Sequence, residues 1–275
     1  NDSGKPYLYT RTGNQLERIT PIDVAFPVLH GTFGEDGTIQ GLFEIQNCAY
    51  VGAGVLGSSV AMDKAVCKHV MESIGIPVLD YAVFTRRAIQ ESLSETIEKA
   101  EAVAPYPLFV KPANLGSSVG INKARNREQL TLALQEAARF DRRILVERGI
   151  SPREIEISVL GNSEVECTVP GEIVPGDEFY TYKDKYQSGD PEVAIPAPLS
   201  ESLSSLLQQY AVAAFKAIDG AGLARVDFLI DKVTGDAYFN EINTMPGFTQ
   251  ISMYPKLWLY SGLSYAGLVN RLVEL

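Results

Sequence analysis

The stretch Ala237-Tyr238-Phe239-Asn240-Glu241-Ile242-Asn243-Thr244-Met245-Pro246-Gly247-Phe248 follows closely on Ala224-Arg225-Val226-Asp227-Phe228-Leu229. Both segments read as strands, and alternate side chains of a strand share a face. Glu241 and Asn243 therefore point one way, and so do Arg225 and Asp227. A hairpin closed through residues 231–236 would bring the oxygens of Asp227, Glu241 and Asn243 together beside the Arg225 guanidinium. Two carboxylates and an amide suit Mg²⁺, which wants hard oxygen donors and completes its shell with water and phosphate. The simpler reading is a hairpin with a charged, solvated face. The break into Met245-Pro246-Gly247-Phe248-Thr249 directly after these donors favours a site.

Working outward, the 275 residues are 45% hydrophobic and 21% charged, enough for one large core or two to three modest ones. No apolar run has the length needed to cross a bilayer, and neither a signal peptide nor a basic targeting segment opens the chain. The formal net charge of -10, from 34 acidic against 24 basic residues, argues against a nucleic-acid coat, whose affinity comes mainly from phosphate neutralisation. Local clusters of Lys and Arg are the more informative against that field. Cys48, Cys67 and Cys167 are far apart, odd in number and without metal-binding spacing. They read as buried thiols of a cytoplasmic protein. The first residue is Asn1 rather than Met, which suggests an upstream portion outside this sequence.

In chain order, residues 6–10 read as a short strand and residues 23–29 as a buried one ending at His30-Gly31. A Gly-rich segment to Gly41, an amphipathic helix and a strand over 49–52 complete a strand–loop–helix–strand unit. Ligands of open α/β sheets bind at the carboxyl ends of strands, where His30 falls; a lone His is otherwise more often structural. Residues 58–75 read as one helix, with Lys64 near its start and a surface lysine by default. Residues 77–84 are extended, 91–103 helical, and 107–112 a strand carrying Lys111. Gly116-Ser117-Ser118-Val119-Gly120 closes a hairpin onto the strand 121–123, and its N–H groups and hydroxyls can cradle an anion. Many hairpins carry Gly and Ser, and no Walker A motif is present. A helix over 127–140, a strand over 142–150, an alternating half-buried strand over 154–161 and a further strand at 172–174 follow. Residues 175–190 lack a core pattern and read as a functional loop. Helices over 202–218 and 265–275 flank the hairpin of the opening stretch.

Taken together and in this order, these phrases resemble the D-alanine–D-alanine ligase family of the ATP-grasp fold. They are His30-Gly31 through Gly41, Met62-Asp63-Lys64, Phe109-Val110-Lys111-Pro112, the Gly116–Gly120 hairpin, Lys185-Tyr186, Ala224-Arg225-Val226-Asp227, and Asn240 through Thr249. The resemblance runs from about Asp23 to the C-terminus. It implies a mixed α/β and α+β architecture. Residues 1–52 form a Rossmann-like, pre-ATP-grasp domain incomplete at its N-terminus, 53–147 a central ATP-grasp lobe, and 148–275 a C-terminal lobe with a mobile loop at 175–190.

The resemblance also implies a reaction: ATP phosphorylates one D-alanine carboxylate, and a second D-alanine attacks the acyl phosphate to give the dipeptide of peptidoglycan precursors. By resemblance, Lys64, Lys111 and Ser118 hold ATP phosphates, while Glu147, Arg148 and Ile150 lie on the strand that reads adenine. Glu154 meets the ribose and Phe179 belongs to the nucleotide site. Asp227, Glu241 and Asn243 hold Mg²⁺, or Mn²⁺ in its place. Arg225 and the Gly247 amide stabilise an oxyanion, and Ser252 and Met253 receive the second substrate's carboxylate. His30 and Ser117 lie near the first substrate. Lys185 reaches the transferred phosphate and Tyr186 orders the closed loop, as in dipeptide-forming members. The family's upstream Gly-rich loop with its glutamate has no counterpart before Asp23. A homodimer formed through the N-terminal region is implied, with no nucleic-acid or membrane partner. Ligation of D-alanine to D-lactate or D-serine, and a nucleotide-binding protein without catalysis, are the competing readings.

Overall fold

The computed structural model describes residues 6–116, 119–174 and 192–275. It opens with a hairpin of β1 (Tyr7–Thr12) and β2 (Gln15–Pro21), turned at Gly13 with φ 62. Glycine in the first central position of a two-residue turn gives the twist that hairpin strands need. β2 is not legible in the sequence, because all of its residues are exposed and no apolar–polar contrast marks it.

The apolar run at 23–29 is not the buried strand that its composition predicts. It makes one parallel bridge, between Ala25 and Tyr50. There the Ala25 N–H donates to the Ala49 carbonyl and the Val51 N–H to the Ala25 carbonyl, each at 2.8 Å. Val24 and Phe26 pack on the cluster of Val51, Leu160, Leu223, Met245, Phe248 and Tyr254, while Val28 and Leu29 stay exposed. Hydrophobicity supplies burial only where a partner exists, and the end of this run, at Val28 and Leu29, is left exposed.

After α1 (Thr38–Ile45), the single helix expected over 58–75 is two: α2 (Val55–Met62) and α3 (Lys64–Ser73). The break is Asp63, whose ψ of 100 leaves the helical region. Its carboxylate accepts the Val66 N–H at 3.0 Å as an N-cap and pairs with Arg143. Lys64 thereby starts a new helix, its own N–H donating to the Ala113 carbonyl at 2.8 Å.

The central lobe comprises β3 (Tyr81–Thr85), α4 (Arg86–Glu91), α5 (Leu93–Glu101), β4 (Leu108–Pro112), β5 (Asn122–Ala124), α6 (Arg127–Phe140) and β6 (Arg143–Arg148). The helix expected over 91–103 begins at Leu93, after the separate short α4. The sheet is antiparallel in the order β3-β6-β4-β5. α6 spans the expected residues, capped by the Asn126 side chain on the Gln129 N–H. Its Leu130, Ala133, Leu134 and Ala137 bury against Leu108, Val110, Ile144 and Val146. The opposite sheet face, carrying Lys111 and Glu147, meets α3.

The C-terminal lobe follows with β7 (Pro152–Gly161), β8 (Val165–Cys167), β9 (Gly171–Val174), β10 (Glu192–Ala194), α7 (Glu201–Ala217), β11 (Gly222–Asp231), β12 (Ala237–Asn243), α8 (Met253–Tyr260) and α9 (Tyr265–Glu274). Its sheet runs β10-β9-β7-β11-β12, with β8 also paired to β7. α7 covers one face over Ile155, Ile157, Val226 and Phe228. β7 is buried on both faces from Ile155 onward, where its alternation predicts burial on one. The polar face is buried too because Glu156 meets Arg225, and the Ser158 hydroxyl donates to the Tyr254 carbonyl of α8. Cys48 and Cys67 are buried as expected, but Cys167 is only half-buried; all three are free.

Gly222 joins the N-terminal segment to this sheet. It has φ 68, and a Cβ there would lie 2.9 Å from the Gly52 nitrogen. Gly222→Ala is expected to cost about 1–3 kcal/mol in urea unfolding, through left-handed strain and this close approach. Gly235→Ala separates the two causes, since Gly235 shares a positive φ of 78 with nothing near its Cβ. A loss at Gly222 no larger than at Gly235 would mean that the Gly52 contact yields freely.

Candidate active site

The expected hairpin forms, and it sets Arg225 opposite Asn243 and Asp227 opposite Glu241. A bulge then shifts the pairing, so that Phe228 lies opposite Phe239 and Asn240 is the extra residue. Alternation alone would put Phe239 on the same face as Glu241. The bulge instead lets Phe239 and Ile242 both enter the core while Glu241 and Asn243 keep to the site face. On the other side of β11, β7 places Ser158 beside Arg225 and Glu156 beside Asp227. Two rows result across three strands: Ser158, Arg225, Asn243 and Glu156, Asp227, Glu241.

Arg225 joins the rows. Its Nε and Nη2 donate to the two Asp227 oxygens at 2.7 Å each, and Nε lies 3.0 Å from Glu156 Oε2. Burial disfavours the guanidinium charge, but the Asp227 and Glu156 carboxylates outweigh it and push the pKa well up. Arg225 is thus a permanent cation. The Asn243 amide nitrogen donates to Asp227 Oδ2 at 3.0 Å, which leaves the amide oxygen as the atom it has to offer a cation. Among the described residues no group of three or more His, Cys, Asp and Glu side chains forms a metal cage. Two carboxylates and an amide are hard oxygen donors of the number with which Mg²⁺ still relies on phosphate and water, so the chemistry of the set fits that ion.

Lys64 stands at the edge of this set, 3.8 Å from Glu241 Oε2, and donates to the Leu115 carbonyl at 2.7 Å. It is a part-buried lysine between the carboxylates and the base of the Gly116 hairpin. A Cβ on Gly116 would in turn lie 3.4 Å from the Gly31 Cα, so the hairpin base abuts the His30 loop. His30 Nδ1 is 2.9 Å from the Met245 carbonyl. Glu35, which sequence reasoning missed, accepts the Gly31 N–H at 2.6 Å and the Met245 N–H at 3.1 Å. Burial raises its pKa, and the two N–H donors only partly offset that. Met245, at the break before Pro246, is therefore clamped to the N-terminal segment through both its N–H and its carbonyl.

Gly247 packs on Ser252, where a Cβ would come within 2.8 Å of the hydroxyl. Ser252 precedes α8 but does not cap it; its Oγ accepts the Thr249 N–H at 3.1 Å. The first N–H groups of α8, including that of Met253, thus lack a side-chain cap, the condition under which a helix N-terminus attracts a carboxylate. The Met253 side chain is core, against Ile173 and Leu257.

Lys111 donates to Glu147 Oε2 at 2.7 Å, and Lys68 to Oε1 at 2.9 Å. Burial would raise the Glu147 pKa, but the two ammonium groups lower it to about 2. The folded value lies below the ordinary 4.5, so this carboxylate's stabilisation is complete above pH 4.5 and is lost as pH falls toward about 2. Glu147→Gln leaves two lysines unpaired and is expected to cost about 3–5 kcal/mol in denaturant unfolding near neutral pH. The gap from wild type should narrow through that acid window; a gap independent of pH would rule out the charge as its cause. Arg148 lies with its guanidinium carbon 5.2 Å above the Tyr238 ring and 3.6 Å from Asp80 to its Nη1. Ile150 follows β6, and Glu154 sits on β7 opposite Ile173 and Leu229. Ser117, Ser118, Phe179, Lys185 and Tyr186 lie outside the described residues. Besides Glu35, sequence reasoning missed Lys68 and Glu156. For Glu156 the signal was the Glu154-Ile155-Glu156-Ile157 alternation; for Lys68 it was the four-residue spacing from Lys64.

A mixed α/β chain of this fold, with Lys64 of α3 brought to Glu241 beside Arg225, Asp227 and Asn243, is of the ATP-grasp ligase class. Family models described as D-ala D-ala ligase N-terminus and D-ala D-ala ligase C-terminus match residues 2–53 and 70–274. The chain belongs to the D-alanine–D-alanine ligase family. It is 55% identical over 255 residues to a D-alanine–D-alanine ligase of Heliobacterium modesticaldum, covering 93% of this chain and 70% of that protein. The D-alanine–D-alanine ligase structure from Coxiella burnetii superposes with a TM-score of 0.81 at 38% identity, covering 100% of this chain and 75% of the other. The VanG D-Ala:D-Ser ligase from Enterococcus faecalis superposes with a TM-score of 0.85 at 33% identity, covering 98% and 79%.

Proposed function

We propose that this chain ligates two D-alanine molecules at the expense of ATP, giving ADP, phosphate and D-alanyl-D-alanine for cell-wall precursors in the cytoplasm. The observation that carries the reading is Arg225 held between Glu156 and Asp227, in register with Glu241 and Asn243 and close to Lys64. Residues 53–147 and 148–275 serve as the two gripping lobes, with the nucleotide between them. Lys64 and Lys111 meet its phosphates, and the strand of Arg148 and Ile150 reads its base, with Glu154 toward the ribose.

Asp227, Glu241 and Asn243 would hold Mg²⁺, which when bound neutralises phosphate charge. Phosphoryl transfer to the first carboxylate depends on positioning and charge neutralisation, which these side chains supply. The second amine then attacks the acyl carbon, and the oxyanion that forms is met by the Arg225 guanidinium and the Gly247 N–H. Collapse of that intermediate expels phosphate. The uncapped start of α8, at Ser252 and Met253, orients the acceptor carboxylate. His30 lies on the first-substrate side, held by Met245. A homodimer is the proposed assembly.

The likeness to a D-Ala:D-Ser ligase favours D-serine as the second acceptor to test. The deciding experiment is phosphate release from ATP with D-alanine alone or mixed with D-serine and D-lactate, with product masses read in parallel. D-alanine-dependent release with a dipeptide product is expected. Tight ATP binding with no D-alanine stimulation would instead identify a nucleotide-binding protein without catalysis.

A further inference from the structure

Lys68 is the largest charged side chain sealed among the described residues, and the ligation steps proposed above do not use it. It stands one turn after Lys64 on α3, so both ammonium groups leave the same helix face. Lys64 reaches the base of the Gly116 hairpin, whereas Lys68 runs under the central sheet to Glu147. The side chains of Lys68 and Glu147 are 2% and 1% exposed, against 13% for Lys111. The three are therefore layered: Lys68 at the back, Glu147 between, and Lys111 in front. The Tyr81 ring, with its centroid 5.6 Å from the Lys68 ammonium, covers the rear group.

We propose that Lys68 is a positioning residue for the nucleotide, acting through Glu147 to leave Lys111 with a usable positive charge. This rests on the reading that Lys111 faces ATP phosphates. A Lys111–Glu147 pair alone is neutral, and its carboxylate would draw the ammonium back and repel an incoming polyphosphate. Lys68 changes that balance. Two cations sharing one anion leave a net charge of one positive unit, and with water nearly excluded this charge is weakly screened. Lys68 also occupies one carboxylate oxygen, so the other is fixed at the height that holds Lys111. A wholly buried ammonium is costly unless the geometry gives something back, and orienting the phosphate-binding lysine is a return that hydrophobic packing cannot supply.

The test is steady-state kinetics on Lys68→Met, Lys68→Arg, Glu147→Gln and the double variant Lys68→Met/Glu147→Gln, with thermal melts alongside. Lys68→Met is expected to raise KM for ATP about tenfold, the order seen when one charge of a polyanion site is lost, with KM for D-alanine within about twofold. Lys68→Arg should recover most of the loss. In the Glu147→Gln background, removing Lys68 should raise KM for ATP clearly less than it does beside Glu147, because the part of its effect that runs through the carboxylate's hold on Lys111 is gone. That comparison decides the matter if Lys68→Met alone does not fold. An unchanged KM for ATP in a folded Lys68→Met protein, or an equal rise in both backgrounds, overturns the proposal. Loss of D-alanine-dependent turnover in the unsubstituted chain would instead refute the ligase reading beneath it.

Discussion

Glu241→Gln is expected to lower D-alanine-dependent phosphate release by about 100-fold or more, the several kcal/mol that a bound cation contributes to phosphoryl transfer. The substitution keeps shape and removes one charge. It takes away one of two carboxylates in the proposed Mg²⁺ set and the counter-charge 3.8 Å from Lys64. Because the side chain is at the edge of the sheet face and not in the core, the fold should survive, and circular dichroism will show whether it does. Raising Mg²⁺ should restore part of the rate, and ATP-dependent binding of Mn²⁺, followed by its paramagnetic signal, should weaken in parallel. Turnover near the wild-type level at ordinary Mg²⁺ would remove Glu241 from the metal set.

The second large effect is at Arg225, and there the choice of substitution matters. Arg225→Met leaves Asp227 and Glu156 facing one another without their cation, which is expected to cost about 3–5 kcal/mol of stability and would hide any catalytic effect. Arg225→Lys keeps the charge but loses the planar fork that spans both Asp227 oxygens. It is expected to fold and to lose about 10²–10³ in kcat, the scale of one misplaced oxyanion donor, while KM for ATP moves only a few-fold. Rapid-quench measurement separates the steps: ADP formation in a first turnover should run ahead of dipeptide formation. If kcat stays within about threefold of wild type, the oxyanion is stabilised by another group, with the Gly247 N–H the next to test.

Both expectations concern side chains whose pairing is legible in the sequence. Arg225 with Asp227, and Glu241 with Asn243, lie two residues apart on strands that a short turn joins, so a period of two places them on one face. α6 is legible for a similar reason, since Leu130, Ala133, Leu134 and Ala137 repeat at the helical period. The run at 23–29 misleads because hydrophobicity reports a tendency to be buried without saying against what. The helix over 58–75 misleads because Asp63 is ordinary inside a helix by composition, whereas in the fold it caps α3 at the Val66 N–H and is held there by Arg143, 80 residues on.

By itself the sequence determined the local geometry: which residues alternate, where a hairpin turns, and that Asp227 shares a strand face with Arg225. Its motifs in series also determined the family. The tertiary structure decided the rest. The bulge at Asn240 that separates Phe239 from Glu241 exists because both flanking apolar residues must reach one core. Glu156 enters the site only when β7 lies beside β11. Lys68 and Glu147 are 79 residues apart, and Glu35 and Met245 are 210 apart. No periodicity reaches across such distances. Charges buried together in a folded chain are selected by desolvation, which penalises every one left unpaired, and that constraint exists only once the chain has closed around them.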